Sequence, residues 1–194
     1  MPRKRRVDFP GATHHGVAQG NGRGAIVFDD VDRRVFVNRL TEVSREAGWN
    51  LHAWCLLTTH VHLLVHVPLG NLSAGMGRLL GWYAHRFNCR HGREGHLFAS
   101  PFWSRLVDTP EYHVTACVYV ALNPVGARLC RRPEDYPWWD VSDEAIGWIH
   151  NDAVRGRARF MAAIDECAAE IVANTTRLDW KRVAAEGGTS LASP

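Results

Sequence analysis

The stretch CLLTTHVHLLVHV (55–67) constrains this chain most, because it combines the composition of a buried β-strand with three histidines. Side chains two positions apart point to the same face of a strand. His60, His62 and His66 therefore share one face with Leu64, while the intervening apolar residues share the other. The stretch predicts a strand with one polar and one apolar face.

The spacing of His60 and His62 suits the binding of one metal ion by both rings. Two imidazoles on one strand face lie about 7 Å apart at the backbone, so their nitrogens can converge on one metal ion. The same pair is more often part of a solvated or hydrogen-bonded strand edge. The H-x-H pattern alone therefore leaves both a metal site and a polar strand face open.

The rest of the chain predicts an α+β domain with a largely antiparallel sheet. The predicted elements are, in order, a strand over 12–19, a helix over 29–48, strands over 49–57 and 60–67 joined as a hairpin, a helix over 71–92, a strand within 97–109, and a helix over 110–123. Pro124 is expected to end the last helix, because proline disfavours the α conformation at the residue before it. Residues 131–140 are a Pro- and aromatic-rich segment in which the chain leaves this domain. Acidic helices over 143–176 and a frayed end follow.

Charge is unevenly distributed along the chain. Residues 1–133 contain 17 Lys and Arg against 9 Asp and Glu, whereas residues 134–194 contain 6 against 11. A basic body favours a polyanionic partner such as nucleic acid. Of the 23 basic residues 21 are arginine, which suits phosphate contacts, although the codon bias of a GC-rich genome explains the same excess.

Composition also bears on the compartment. The five cysteines form no C-x-x-C pair, which fits thiols in a reducing cytosol better than disulfides or a zinc knuckle. No apolar run approaches the ~20 residues that span a bilayer, and no apolar segment follows the basic N-terminal residues as in a signal peptide. We expect a cytoplasmic protein without a membrane partner.

A second candidate group lies in VYVALNPVGARL (118–129). Tyr119 and Asn123 are four residues apart, so they share one face of the predicted helix. A tyrosine can act as a nucleophile, and an amide oxygen can bind a metal ion. A packing tyrosine and an Asn-Pro pair that ends a helix explain the same residues without any chemistry.

Four segments in this order resemble the single-tyrosine HUH transposases (insertion sequence 200-like transposase domain), in particular the REP-associated tyrosine transposases of bacteria. The resemblance runs from about Pro2 to Trp138. It is carried by RRVDFPGATHHGVAQGNGRGAIVFDDVDRRVF, GWNLHAWCLLTTHVHLLV, NLSAGMGRLLGWYAHRFNCRHGREGHLF and YVALNPVGARLCRRPEDYPWW.

This resemblance implies a fold and an activity. The fold would be a ferredoxin-like antiparallel sheet with helices on one face over residues 1–140, followed by an acidic helical extension with a frayed end over 141–194. The activity would be metal-dependent cleavage and rejoining of single-stranded DNA through a 5′-phosphotyrosine intermediate, at repeat-derived hairpins. Such a protein would be associated with the bacterial nucleoid, as a monomer or a homodimer.

Individual residue roles also follow from the resemblance. His60 and His62 correspond to metal ligands, Asn123 to a third ligand and Tyr119 to the nucleophile. The ion would be Mn²⁺, favoured by the imidazole ligands, or Mg²⁺, favoured by abundance. Residues expected to contact DNA are Arg3, Lys4, Arg5, Arg6, Trp103 and Arg105. His14 and His15, on the first strand, are expected to have a surface role, with contact between one of them and DNA as the alternative. His66 is expected to have a packing or supporting role.

The sequence departs from the family pattern mainly at basic positions. Ser100, Pro101 and Trp103 stand where Gly, Arg and Lys are usual, Gln19 replaces an Arg, and 126–128 read GAR instead of RAG. The loss of these basic residues would weaken DNA binding. A catalytically weak or inactive protein that binds hairpin or single-stranded DNA is therefore the main alternative. A metal-dependent hydrolase unrelated to nucleic acids has only the H-x-H pair in its favour.

Overall fold

The computed structural model describes residues 8–99, 102–150 and 153–174. Within these ranges it describes the side chains except those of residues 148–155 and 174. The helices and strands are β1 (Ala12–Gln19), α1 (Asp30–Ala47), β2 (Asn50–Leu56), β3 (His60–Val67), α2 (Leu72–His91), β4 (Trp103–Leu106), α3 (Pro110–Gly126), β5 (Trp139–Val141), α4 (Asp143–His150) and α5 (Ala153–Asn174). Short 3₁₀ turns occupy Asn21–Arg23 and Pro133–Asp135.

The strands form one sheet in the order β4-β1-β3-β2-β5. β1 is antiparallel to both β3 and β4, and β5 is antiparallel to β2. The chain order β-α-β-β-α-β, combined with this strand order, is the ferredoxin-like arrangement. The predicted α+β class with an antiparallel sheet is therefore confirmed, and so are the C-terminal helices over the described residues.

The described chain divides into two compact units. Over the described residues, the first comprises 8–51, 56–99 and 102–106, and the second comprises 52–55, 107–150 and 153–174. The domain boundary expected after residue 140 stays a prediction. Within the parts of the chain that the structure describes, no helix is long and apolar enough to cross a membrane.

In the first unit, α1 has the ends that its sequence predicts. The side chain of Asp29 accepts the backbone N–H of Asp32 at 3.0 Å, which caps the helix, and Gly48 ends it in the left-handed conformation with φ +65°. Phe36 meets the ring of Tyr83 edge to face at 4.9 Å, and Tyr83 Oη donates to the carbonyl of Ile26 at 2.7 Å. These contacts pack α1 against α2.

The apolar face of β3 belongs to the core of this unit. Val61, Leu63 and Val65 are at most 1% exposed. They alternate with the histidines, as the period of two requires. The hairpin between β2 and β3 is closed by a hydrogen bond from Leu57 N–H to the carbonyl of His60 at 2.9 Å. The prediction that the histidines and the alternating apolar residues lie on opposite faces of β3 is therefore confirmed.

Gly75 lies inside α2, where glycine weakens a helix. A Cβ added there would stand 2.1 Å from Cζ2 of Trp49, whose Nε1 donates to Asn71 Oδ1 at 2.7 Å. We expect Gly75→Ala to lower the free energy of unfolding by about 1–3 kcal/mol, because overpacking against the indole outweighs the gain in helix propensity.

Gly77 supplies the matched control in the same helix. A Cβ there meets nothing within 4 Å, so Gly77→Ala should raise the free energy of unfolding by up to about 1 kcal/mol. Urea titrations of both variants measure the two changes. Shifts of the same sign would contradict the role given to Trp49.

The second unit shows two departures from the sequence-based expectations. Pro124 does not end α3, which continues to Gly126 and is closed by a hydrogen bond from Ala127 N–H to the carbonyl of Asn123 at 2.8 Å. Proline so near the C-terminus forfeits only one helical hydrogen bond. Because every residue from 115 to 125 is buried, packing outweighs that loss.

The second departure is β5, which lies partly in the predicted exit. Ala53 pairs with Val141, and Cys55 pairs with Trp139. Three residues beside a Pro-rich segment carry too little alternation to be recognised as a strand. The predicted frayed end lies outside the described residues.

Candidate functional site

The two histidines of the H-x-H pair lie side by side in the first unit. Their ring centroids are 5.0 Å apart and the rings are inclined at 74°. His62 is 4% exposed, whereas His60 is half-buried, with Nδ1 at 2.9 Å from Thr59 Oγ1. The pair therefore has the proximity that a shared metal ion requires.

The strand register brings further predicted residues onto the same face. Val17 of β1 lies opposite His62 on one side and opposite Trp103 on the other, and His15 lies opposite Arg105. Directly opposed residues of antiparallel strands share a face. We call this surface the histidine face; it consists of His15, His60, His62, Trp103 and Arg105.

Trp103 and Arg105 form the accessible part of the histidine face. Both side chains are exposed, and 44% of Trp103 is accessible. The indole lies nearly perpendicular to the ring of His15, with centroids 5.9 Å apart. The structure thus brings four of the predicted site residues together: the histidine pair, an aromatic ring that could stack on a base, and a cation.

His15 contacts His62 directly. Its Nε2 is 3.2 Å from Nδ1 of His62, and both side chains are buried. Burial holds the pKa of His62 well below its ordinary value, and the neighbouring His15 and His60 lower it further. Burial also lowers the pKa of His15 to about 4, with a smaller contribution from Arg105. At neutral pH both rings are therefore neutral, which is the form that binds metal.

These pKa values predict that the metal-free protein is less stable in acid. Below pH 6.5 the unfolded histidines bind protons that the folded ones do not, so the free energy of unfolding falls as the pH is lowered toward 4. From His15 alone we expect a loss of about 2 kcal/mol between pH 7.5 and 5.

Urea titrations in EDTA at these two pH values measure the loss. His15→Phe should reduce the dependence on pH, because it removes one of the two buried bases. A free energy of unfolding that rises on acidification would contradict the prediction.

The donor atoms fit a divalent ion. Because Nδ1 of His62 faces His15, Nε2 is the nitrogen through which His62 would bind metal. Among the described residues, no group of three His, Cys, Asp or Glu side chains is arranged to hold a metal. The amide of Asn123 stays the predicted third ligand. Two imidazoles and an amide oxygen suit Mn²⁺ and are acceptable to Mg²⁺.

Tyr119 and Asn123 lie in the second unit, on α3. They are 9% and 8% exposed, and Asn123 Nδ2 donates to the backbone carbonyl of Tyr119 at 2.7 Å. This bond uses one N–H of the amide and does not involve the amide oxygen, the atom that binds metals. The roles assigned to Tyr119 and Asn123 stay predictions.

Roles were also predicted for the other histidines of β1 and β3 and for several basic residues. The surface role expected for His14 and His15 is wrong, because they are 1% and 2% exposed. His66 is half-buried, with Nδ1 at 3.2 Å from Thr13 Oγ1. The predicted DNA contacts in the basic leader (Arg3, Lys4, Arg5, Arg6) and the departures at Ser100 and Pro101 lie outside the described residues.

His15 is the residue that sequence reasoning missed. Its proximity to His62 follows from the pairing of β1 with β3, which joins residues 47 positions apart. Once that pairing is known, the alternation of side chains along β1 is enough to place His15 on the histidine face. The missing information was therefore the non-local register.

The chain was compared with known families and structures. The family model "Transposase IS200 like" matches residues 10–121. The solved structure of a REP-associated tyrosine transposase bound to a REP hairpin is similar, with a TM-score of 0.60 and 18% identity, covering 72% of this chain and 82% of that one. A putative transposase from Deinococcus radiodurans R1 has a TM-score of 0.43 and 19% identity, covering 56% and 85%. No curated protein shows a significant match.

Proposed function

The chain belongs to the IS200-like transposase family, whose model matches more than half of it, and on that premise we propose that it cleaves and rejoins single-stranded DNA through a 5′-phosphotyrosine intermediate. The observation that carries the proposal is the histidine face. It brings the imidazoles of His60 and His62 together with an exposed tryptophan and an exposed arginine. Those are the groups that metal-assisted chemistry on a nucleic acid needs.

His60 and His62, together with Asn123, would hold Mg²⁺ or Mn²⁺. When bound, the ion would polarise the scissile phosphate and offset the charge that develops during cleavage. His62 contributes a ring that burial keeps neutral, so it need not lose a proton before it binds. His60, which is half-buried, provides the more accessible nitrogen.

Tyr119 would perform the covalent step. Its Oη attacks the phosphorus, an Oη–P bond forms, and the bond from phosphorus to the 3′ oxygen breaks. The phenol proton passes to solvent, and the leaving 3′ oxygen takes up a proton. The products are a 5′-phosphotyrosine and a free 3′-OH, and attack by another 3′-OH reverses the step. One phosphate ester replaces another, so no nucleotide hydrolysis is needed, which agrees with the lack of a P-loop motif in the sequence.

DNA would be held by the exposed part of the histidine face. Base stacking on an aromatic side chain contributes about 1–3 kcal/mol per base, and Trp103 offers an accessible ring. Arg105 and the basic leader, Arg3 to Arg6, would contact phosphates, and these contacts weaken with salt. The structurally similar REP-associated transposase binds a REP hairpin, and we propose a repeat-derived hairpin as the partner here. The protein would act in the cytoplasm at the nucleoid, as a monomer or homodimer.

A labelled-oligonucleotide assay tests the proposal. Hairpin DNA with a single-stranded flank is labelled at either end and incubated with the protein and Mn²⁺. We expect an SDS-resistant adduct that carries only the 3′-end label, because the 5′ phosphate of the downstream fragment joins the protein. EDTA should abolish it. Failure to form any adduct on either label would contradict the proposed chemistry.

A second candidate function is a binding protein for hairpin or single-stranded DNA without nicking activity. The observations that favour it are the altered loop, in which Trp103 stands where a lysine is usual, and the end of β1, where Gln19 stands in place of a usual arginine. Hairpin binding that depends on salt but not on metal, without an adduct, would favour this candidate.

A further inference from the structure

His15 occupies an unusual place for a histidine. It lies on β1, which is an inner strand between β3 and β4, and it is 2% exposed. In the register it stands directly opposite Leu64 and diagonal to His62. Diagonal neighbours across a sheet are within reach of long side chains, and the two rings meet with Nε2 of His15 at 3.2 Å from Nδ1 of His62.

This contact determines which nitrogen of His62 faces a metal. A neutral imidazole carries one proton, and a ring that binds metal through Nε2 carries that proton on Nδ1. The Nδ1–H of His62 would then point at His15, whose Nε2 would accept it. His15 in turn would carry its own proton on Nδ1. A partner of this kind fixes the orientation and tautomer of a ligand in metalloproteins.

We propose that His15 is a positioning residue of the metal site, holding His62 in the tautomer that presents Nε2 to the ion. This inference rests on the proposed function. The setting of His15 supports it, because its buried ring packs nearly perpendicular to the indole of Trp103, with centroids 5.9 Å apart, and packing of this kind restrains the position of the ring.

The same two strands provide a matched control. Thr13 and His66 stand opposite each other in the register on the same sheet face, and Thr13 Oγ1 is 3.2 Å from His66 Nδ1. This pair is also a cross-strand hydrogen bond to a histidine ring, at the same distance. It involves neither of the histidines assigned to the metal. Replacing His66 therefore reproduces the loss of such a bond without the proposed consequence.

Mn²⁺ affinity, measured without DNA from the EPR signal of the free ion, tests the proposal. We expect His15→Phe to weaken Mn²⁺ binding about 10- to 100-fold, the usual effect of removing a partner of a ligating histidine. His15→Gln should recover part of the affinity, because its side-chain oxygen can accept the same proton. His66→Phe should bind Mn²⁺ like the wild type.

Nitrogen-15 NMR of the histidine rings supplies a second readout that needs no metal. His62 should be the Nδ1–H tautomer in the wild type and shift toward the Nε2–H tautomer in His15→Phe. An Nε2–H tautomer of His62 in the wild type would overturn the proposal. So would unchanged Mn²⁺ affinity in folded His15→Phe.

The two readouts separate this inference from the proposed function. If the wild type bound no Mn²⁺, the metal-dependent function would fail, while the tautomer of His62 would still decide the role of His15. If His15→Phe failed to fold, the role of His15 would be decided instead by the tautomer of His62 in the wild type and by the Mn²⁺ affinity of His15→Gln. An affinity of His15→Gln below that of a folded His15→Phe would count against the accepting role.

Discussion

Tyr119→Phe is expected to reduce the covalent protein–DNA adduct by at least about 10³-fold, because removing a nucleophile eliminates the step it performs. The substitution keeps a ring that is 9% exposed and deletes only the oxygen that would bond to phosphorus. Hairpin binding should remain close to wild type. SDS gels of labelled oligonucleotide measure the adduct, and gel shifts in EDTA measure binding.

Tyr112 provides the control on the same helix. It lies two turns before Tyr119 on α3 and is equally 9% exposed. Tyr112→Phe removes a hydroxyl from a comparable environment and should leave the adduct unchanged. An adduct that survives Tyr119→Phe, or that disappears equally in both variants, would show that Tyr119 is not the nucleophile.

His60→Ala is expected to have the second largest effect, a loss of about 10²- to 10⁴-fold in cleavage rate at low Mn²⁺ concentration. The magnitude corresponds to the several kcal/mol that a bound ion contributes to stabilising a transition state. Half-buried His60 can be truncated with less disturbance than the buried His62. High Mn²⁺ should restore part of the rate, because the remaining ligands still bind the ion weakly.

The third histidine of the same strand face is the control for this experiment. His66→Ala removes an imidazole that contacts Thr13 and should leave the Mn²⁺ dependence of cleavage as in the wild type. Cleavage rates measured over a range of Mn²⁺ concentrations distinguish the two variants. The same dependence in His60→Ala and wild type would contradict a metal bound by His60.

Local patterns were sufficient to predict most of this fold. The period of two in residues 60–67 predicted the two faces of β3, and the helix predicted over 29–48 agrees with α1 to within one residue at each end. Each depends on interactions within a few residues of the chain. The same local reasoning failed at Pro124, because burial of α3 on all sides outweighs the preference of an Asn-Pro pair.

The composition of the candidate site depended on information that is not local. The register of β1 against β3 and β4 places His15, Trp103 and Arg105 on the face of His62, and no periodicity within one segment encodes it. The role of Tyr119 came from the resemblance alone, because helical spacing does not distinguish a nucleophile from a packing tyrosine. The site assignments therefore stay predictions until chemistry tests them.

That Tyr119 carries the DNA is tested most directly by mapping the covalent adduct of the unmodified protein. The adduct formed with Mn²⁺ is digested with nuclease and trypsin, and the peptide 106–128, which contains both Tyr112 and Tyr119, is fragmented by mass spectrometry. We predict a nucleotide remnant joined through a phosphodiester to Tyr119. A remnant on Tyr112, on any other residue, or on none would contradict the proposed mechanism.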